Sequence, residues 1–194
     1  MEALAFNTLV ASRRSVMPQH YNGHRVDDEI IHKMLENANH APTHKLTQPW
    51  HFIVYTRDGL RRLAHMQAEV YRSVTTEDGT FKETRYLNLL EKPMQSSHII
   101  VICMKCSTHI AIPEIEEVGA VFCAVQNMHL TATAYGVAAY LSTGGITYFE
   151  EAKSIFGLEK EDRLIGFFNV GMSDKPATTP AKKAYTDFIK WVEA

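Results

Sequence analysis

The chain reads as an α+β sandwich built around one long buried helix, and three features predict it. Apolar runs suited to strands recur at HFIVY (51–55), HIIVICM (98–104), VAAYL (137–141) and RLIGFFNVGM (163–172). Helical patterns lie between them, so the two element types alternate along the chain. No Asp, Glu, Lys or Arg occurs between Glu117 and Glu150, which marks a helix apolar on most sides.

Taken in order, residues 3–12 form a short first helix with Ala3, Leu4, Phe6, Leu9 and Val10 as its apolar face. Residues 27–39 give the clearest helical pattern, with Ile30, Ile31, Met34, Leu35 and Ala38 on one side. Asp27 is its N-cap, Asp28 and Glu29 suit the positive end of its dipole, and Val26 can staple onto Ile31. Ala41-Pro42 stops it, because the residue before a proline avoids helical backbone angles. The strand HFIVY is expected to be buried. Residues 57–92 are charged and weakly periodic, and are expected to be helical and surface-exposed. The long helix covers 114–135 and Gly136 is placed to end it. A short helix follows at 152–156. The tail after Pro176 and Pro180 carries Tyr185, Phe188, Ile189, Trp191 and Val192, and so much apolar surface must dock, either on its own domain or on a partner.

Composition excludes several classes. The 194 residues fit one domain, and a net charge of -2 with a pI near 6.5 gives no bulk positive field for nucleic acid or anionic lipid. Gln126, Asn127, His129, Thr131 and Thr133 interrupt the uncharged stretch, which argues against a membrane span. Three cysteines are too few for a disulfide framework. The first fifteen residues lack a basic region ahead of an apolar one, so the expected setting is the cytoplasm. Cys103 and Cys106, three apart on a strand, face opposite sides and are expected to be inert.

Few segments carry chemistry. Arg13-Arg14-Ser15 places two guanidinium forks and a hydroxyl together, a set suited to phosphate, though such clusters are common and more often form a solvated helix C-terminus. His40 and His44 are four apart, but Pro42 lies between them and no third ligand is evident, so no metal is expected. Leu141-Ser142-Thr143-Gly144-Gly145 follows a strand; glycines there either let a ligand approach the backbone or simply make a loop. The glycine fingerprints of dinucleotide and P-loop folds are absent.

Taken together, Arg13-Arg14-Ser15, APTHKLTQPWHFIV, GAVFCAVQNMHLTATAYGVAAYLSTGG and LIGFFNVG, in this order and spacing, resemble the nitroreductase family of flavoproteins over nearly the whole chain. The resemblance implies one domain over 1–194, a mainly antiparallel sheet flanked by helices, and a domain-swapped homodimer with FMN at its interface. Within that domain, 57–92 would be a variable cover and 176–194 a tail docking on the partner. By position, Arg13, Arg14 and Ser15 would hold the FMN phosphate and ribityl region, with Lys183 as a further phosphate-binding cation and Lys182 beside it. His40 and His44 would touch the partner's flavin, and Leu141, Ser142 and Thr143 would lie against its ring. Met17, Leu46 and His40 depart from residues common in the family (Arg, Asn and Arg). The implied activity is transfer of reducing equivalents from NAD(P)H through FMN to a nitroaromatic, quinone or enone by a ping-pong route, with no protein acid or base marked. Another flavin reaction on the same fold (dehydrogenation or reductive dehalogenation) and a flavin-binding carrier or sensor are the alternatives.

Overall fold

The computed structural model describes residues 2–175 and 181–193. Four strands form one antiparallel sheet: β1 (Trp50–Thr56), β2 (His98–Met104), β3 (Ala138–Ser142) and β4 (Arg163–Gly171), in the spatial order β1-β2-β4-β3. All seven residues of β2 are buried, because strands flank it on both sides and helices cover both faces. Its pairing with β4 slips once, between Ile102 and Cys103.

Side chains alternate across this sheet into two cores. On one face Ile100, Ile102, Phe168 and Val170 pack with Met34 and Ala38 of helix α2 (Asp28–Ala38). The same core takes Val121, Ala124, Met128 and Ala132 of the long helix α5 (Glu114–Ala134). On the other face Ile99, Val101, Leu164 and Phe167 meet Leu60, Leu63 and Tyr71 of helix α3 (Asp58–Glu77), and Ala152 of the short helix α6 (Glu151–Ile155). The architecture is therefore helix, sheet, helix. Each fully buried Ile or Met contributes roughly 1.5–3 kcal/mol, so the two cores hold the sheet rigid beneath whatever binds at its edge.

Local signals account for the element ends. Asp27 caps α2 by accepting a bond from the Glu29 amide at 3.0 Å. Gly136, with φ +67°, follows the last turn of α5 in the left-handed region that favours glycine. Helix α1 (Ala3–Ser12) spans the expected residues.

Two expectations change, and one open alternative narrows. β1 is a half-buried edge strand, since among the described residues only β2 pairs with it. The 57–92 stretch is helical, as α3 and α4 (Glu83–Glu91), yet one face of α3 is core. Its Leu60, Leu63, Ala64, Gln67, Ala68 and Tyr71 recur at helical spacing behind the many charges that hide the pattern. The tail does not pack on its own domain: 181–193 are all exposed, including Tyr185, Phe188, Trp191 and Val192. Pro176 and Pro180 lie outside the described residues. No residue of α1 is buried either, and Leu4, Phe6 and Val10 face outward.

Cys103 sits in the core on the α3 side, where burial pushes its thiol up to about 12, while Cys106 lies against the opposite core. The two thiols therefore lie on opposite faces of the sheet. Among the described residues no helix is long and apolar enough to cross a membrane, and no group of His, Cys, Asp and Glu could hold a metal.

Candidate active site

The free edge of β3 organises the site. The Val16 amide donates to the Ala139 carbonyl at 3.0 Å, so the segment after α1 runs beside β3. That bond brings Arg13-Arg14-Ser15 next to the strand that ends in Leu141 and Ser142, with Thr143 just beyond it.

Arg13 and Arg14 are half-buried and Ser15 is exposed. The Arg13 guanidinium lies 3.4 Å from both ring nitrogens of His129, on α5. The Arg14 carbonyl accepts from His129 Nε2 at 3.1 Å. Burial, reinforced by the Arg13 charge, lowers the His129 pKa to about 4, so the ring is neutral at ordinary pH. Arg13 is thus a partly buried cation with no carboxylate partner among the described residues. Such a group favours an incoming anion.

Beyond Ser142 the chain turns through Gly144 and Gly145. Gly145 has φ +72°, and Thr147 Oγ1 pins the turn by donating to the Gly144 carbonyl at 2.7 Å. A cleft of about 560 Å³ opens here between the sheet, the 17–19 turn and α4. Tyr140, Ser142, Phe167 and Asn169 form its sheet side, and Met17 and Gln19 one rim. Asn169 is buried and locks the floor: its Nδ2 donates to the Phe167 and Tyr140 carbonyls at 3.0 and 3.3 Å.

The opposite wall carries no motif in the sequence. Arg85, Asn88, Leu89 and Lys92 border the cleft at i, i+3, i+4 and i+7, from α4 and the 3-10 turn after it (Lys92–Gln95). That spacing was legible, but a single exposed polar face does not announce what it confronts.

The remaining expected residues lie elsewhere. His40 is exposed just past α2. His44 is exposed and pairs through Nδ1 with Glu116 Oε2 at 2.5 Å, at the first turn of α5. Glu116 and His129 are thirteen residues apart on one helix, about 20 Å at 1.5 Å per residue. Arg13 and His44 therefore stand toward opposite ends of α5. Lys183 is on the exposed tail, with no ion pair among the described residues.

The loop carrying His44 is strained. Lys45, Leu46 and Gln48 all have left-handed backbones, with φ of 49, 56 and 46°, each costing on the order of 1 kcal/mol. Thr43 Oγ1 accepts from the Gln48 amide at 3.2 Å, and Asn39 Oδ1 accepts from Trp50 Nε1 at 3.2 Å, which holds the loop to α2. Leu46 is left 81% exposed at its tip.

With this geometry in hand, the class is defined: residues 10–172 match the family model described as the Nitroreductase family, and the chain belongs to it. YdjA of Escherichia coli (strain K12), which bears the provisional name of an NAD(P)H nitroreductase, is 26% identical over 151 residues, covering 78% of this chain and 80% of its own. The crystal structure of a nitroreductase-like family protein from Bacillus cereus matches with a TM-score of 0.80 at 22% identity, over 100% of this chain and 98% of that one. The FMN-dependent nitroreductase NfnB from Mycobacterium smegmatis, solved with NADPH, matches with a TM-score of 0.73 at 17% identity, over 98% and 99% of the two chains.

Proposed function

We propose that this chain is an FMN-dependent oxidoreductase that takes reducing equivalents from NAD(P)H and passes them to a small electron acceptor such as a nitroaromatic, quinone or enone. The observation that carries the reading is the Val16–Ala139 bond, which sets a cationic, hydroxyl-bearing segment beside a strand that ends at an open cleft. That juxtaposition suits a cofactor with a phosphate at one end and a flat ring at the other. The residues fit FMN: Arg13 is charged, partly buried and without a carboxylate partner among the described residues, and the ring side is shaped by a glycine turn.

Arg13, Arg14 and Ser15 would hold the phosphate and ribityl chain, and Lys183 would add a cation from the tail. The Leu141, Ser142 and Thr143 backbone would border the ring. When bound, the flavin supplies two-electron uptake from NAD(P)H and release to the acceptor, and one shared cleft implies a ping-pong order. The protein's contribution is placement and exclusion of water by Phe167, Tyr140 and the α4 wall.

Two chains would complete each site. His44 stands about 20 Å along α5 from Arg13, so a single subunit cannot bring both to one ring, whereas a second copy could present His40 and His44. The exposed apolar residues of α1 and the tail supply surface for that assembly, with 181–193 reaching across to the partner.

The test is a visible spectrum of the purified protein after FMN reconstitution and desalting, followed by NADPH under nitrogen. Retained flavin absorbance, bleached by NADPH and restored by a nitroaromatic, is expected. Protein that takes up no FMN, or flavin that neither NADPH nor NADH bleaches, would overturn the reading.

A further inference from the structure

Away from the cleft, three residues form an unbroken hydrogen-bonded chain where β2 begins. Ser97 Oγ lies 2.9 Å from His98 Nδ1, and His98 Nε2 lies 2.8 Å from Asp28 Oδ1, in the first turn of α2. None of the three borders the cleft described above. Chemistry fixes the proton positions. The bond from His98 is the first of the effects that hold the Asp28 carboxyl below the usual carboxylate range, so it is ionised and can only accept. Burial holds the His98 ring below its ordinary pKa, so at neutral pH it is uncharged and its one N–H is Nε2, toward Asp28. Nδ1 therefore offers a lone pair, and the Ser97 hydroxyl donates to it. Either ring nitrogen can act as a base once the other carries the proton.

The surroundings hold this chain still. The Ser97 amide donates to the Val170 carbonyl at 2.9 Å, and the Ser97 carbonyl accepts from Thr56 Oγ1 at 3.4 Å. The Val26 amide donates to Ser97 Oγ at 2.8 Å, a bond that strengthens as negative charge grows on that oxygen. His98 is 1% exposed while Ser97 is half-buried, so a dry base stands behind a residue that meets solvent. The cations whose charge reaches the ring are Arg25, which pairs with Asp28 and donates to Thr56 Oγ1 at 3.1 Å, and Arg57.

A hydroxyl, a neutral imidazole and an ionised carboxylate in this order are a nucleophile, its base and the acid that orients the base. We propose that Ser97 is a nucleophile served by His98 as base and Asp28 as positioning residue, and that it hydrolyses small activated carboxylic esters without FMN or NAD(P)H. Ser97 Oγ bonds to the ester carbonyl carbon and its proton passes to Nδ1. The bond to the leaving oxygen breaks, that oxygen takes the proton from Nδ1, and acyl-Ser97 remains. Water then adds to the acyl carbon and gives a proton to Nδ1; the carboxylic acid departs as Ser97 Oγ recovers that proton. The field of Arg25 and Arg57 favours the negative charge that develops on the carbonyl oxygen.

The experiment mixes the full-length protein, as purified and with no NAD(P)H, with 4-nitrophenyl acetate. A burst of about one 4-nitrophenolate per chain is expected, followed by slower turnover. Diisopropyl fluorophosphate, with fragmentation of the labelled peptide, should place the phosphoryl group on Ser97 and not on the neighbouring Ser96, a readout that needs no variant. Ser97→Ala should abolish the burst, and His98→Gln should slow it at least about a hundredfold. Asp28 is exposed, so Asp28→Asn should melt close to wild type. It should slow the burst by about tenfold or more and move its pH midpoint lower, because the carboxylate no longer raises the His98 pKa. A merely structural tie would leave that midpoint in place. No burst, a label on any other residue, a Ser97→Ala chain with the wild-type burst, or an unmoved midpoint in Asp28→Asn would overturn the proposal.

Discussion

The Ser142 carbonyl oxygen faces Gly166 so closely that a Cβ built on the glycine would stand 2.5 Å from it. The neighbour is backbone, at the end of β3, and cannot rotate away as a side-chain tip would. Gly166 therefore sets how near the last residue of β3 lies to β4, and with it the position of the 141–143 segment. Gly166→Ala should push that strand end outward, cost on the order of 1–3 kcal/mol of stability, and weaken FMN binding by about tenfold or more. A thermal melt and a flavin fluorescence titration check both effects. An alanine variant with native FMN affinity would show that the 141–143 backbone does not border the ring.

Arg13 gives a second prediction. It is half-buried, its partner His129 is neutral, and no carboxylate among the described residues offsets its charge. Loss of charge-assisted bonds to a phosphate weakens binding by roughly ten- to a hundredfold. Replacing Arg13 and Arg14 together with Ala should accordingly lower retained FMN while the far-ultraviolet circular dichroism stays native. Flavin content that survives dialysis in the double variant at the wild-type level would remove these residues from the phosphate site.

His129 makes stability depend on pH in a defined direction. Its folded pKa is lowered to about 4 from the ordinary 6.5, first by burial and then by Arg13. Between those values the unfolded chain binds the proton and the folded chain does not, so unfolding is favoured as pH falls. Stability should be fully present above about 6.5 and decline toward 4, by on the order of 3 kcal/mol in total. Urea unfolding at stepped pH checks this, with His129→Gln as control. The glutamine variant should show a flatter profile across that window; an identical slope would assign the acid sensitivity to other groups.

Much of this was legible in the residues. Every expected helix and strand exists, because Ile30, Ile31, Met34, Leu35 and Ala38 of α2 and the apolar run of β2 carry their periods plainly. Two kinds of fact were not. Burial of β1 depends on which strands flank it, and the apolar run HFIVY looks the same on an edge as in the centre. The core face of α3 is written in residues as small as Ala64 and Ala68, and as polar as Gln67, among charges that dominate any average. Beside the cleft, the Arg13 segment and the 141–145 turn were singled out through the family resemblance, each being modest alone. The Arg85–Lys92 wall was not, because only tertiary packing turns an ordinary polar helix face toward a cleft.

Gly171 and Tyr21 form a second tight contact, with a different expected signature. A Cβ on Gly171 would meet the Tyr21 ring at 2.3 Å, while the Tyr21 hydroxyl donates to the Asn169 carbonyl at 3.1 Å. Tyr21 closes the segment that begins at the Met17 rim, so the ring anchors the rim to β4. Gly171→Ala alone should destabilise by on the order of 2 kcal/mol, and adding Tyr21→Ala should recover part of that loss, since the clash disappears with the ring. A double-mutant cycle in urea reads the coupling. Strictly additive losses would mean that the ring and the glycine do not constrain each other.

The tail supplies the last test. Tyr185, Phe188, Trp191 and Val192 are 74, 73, 84 and 83% exposed, an apolar surface too large to leave in water on a short terminal segment. Aromatic anchors of this kind dominate association energies when buried on a partner. If 181–193 cross to a second copy, Phe188→Ser with Trp191→Ser should raise the dimer dissociation constant by at least about tenfold. Because these side chains are largely exposed on their own domain, the monomer's urea unfolding should barely change. Sedimentation velocity over a concentration series measures the first effect. Flavin retention should fall in step with dissociation, since each site would lose the partner's His44. A doubly substituted chain that remains dimeric at wild-type concentrations would place the interface elsewhere, on α1 or the outer face of α5.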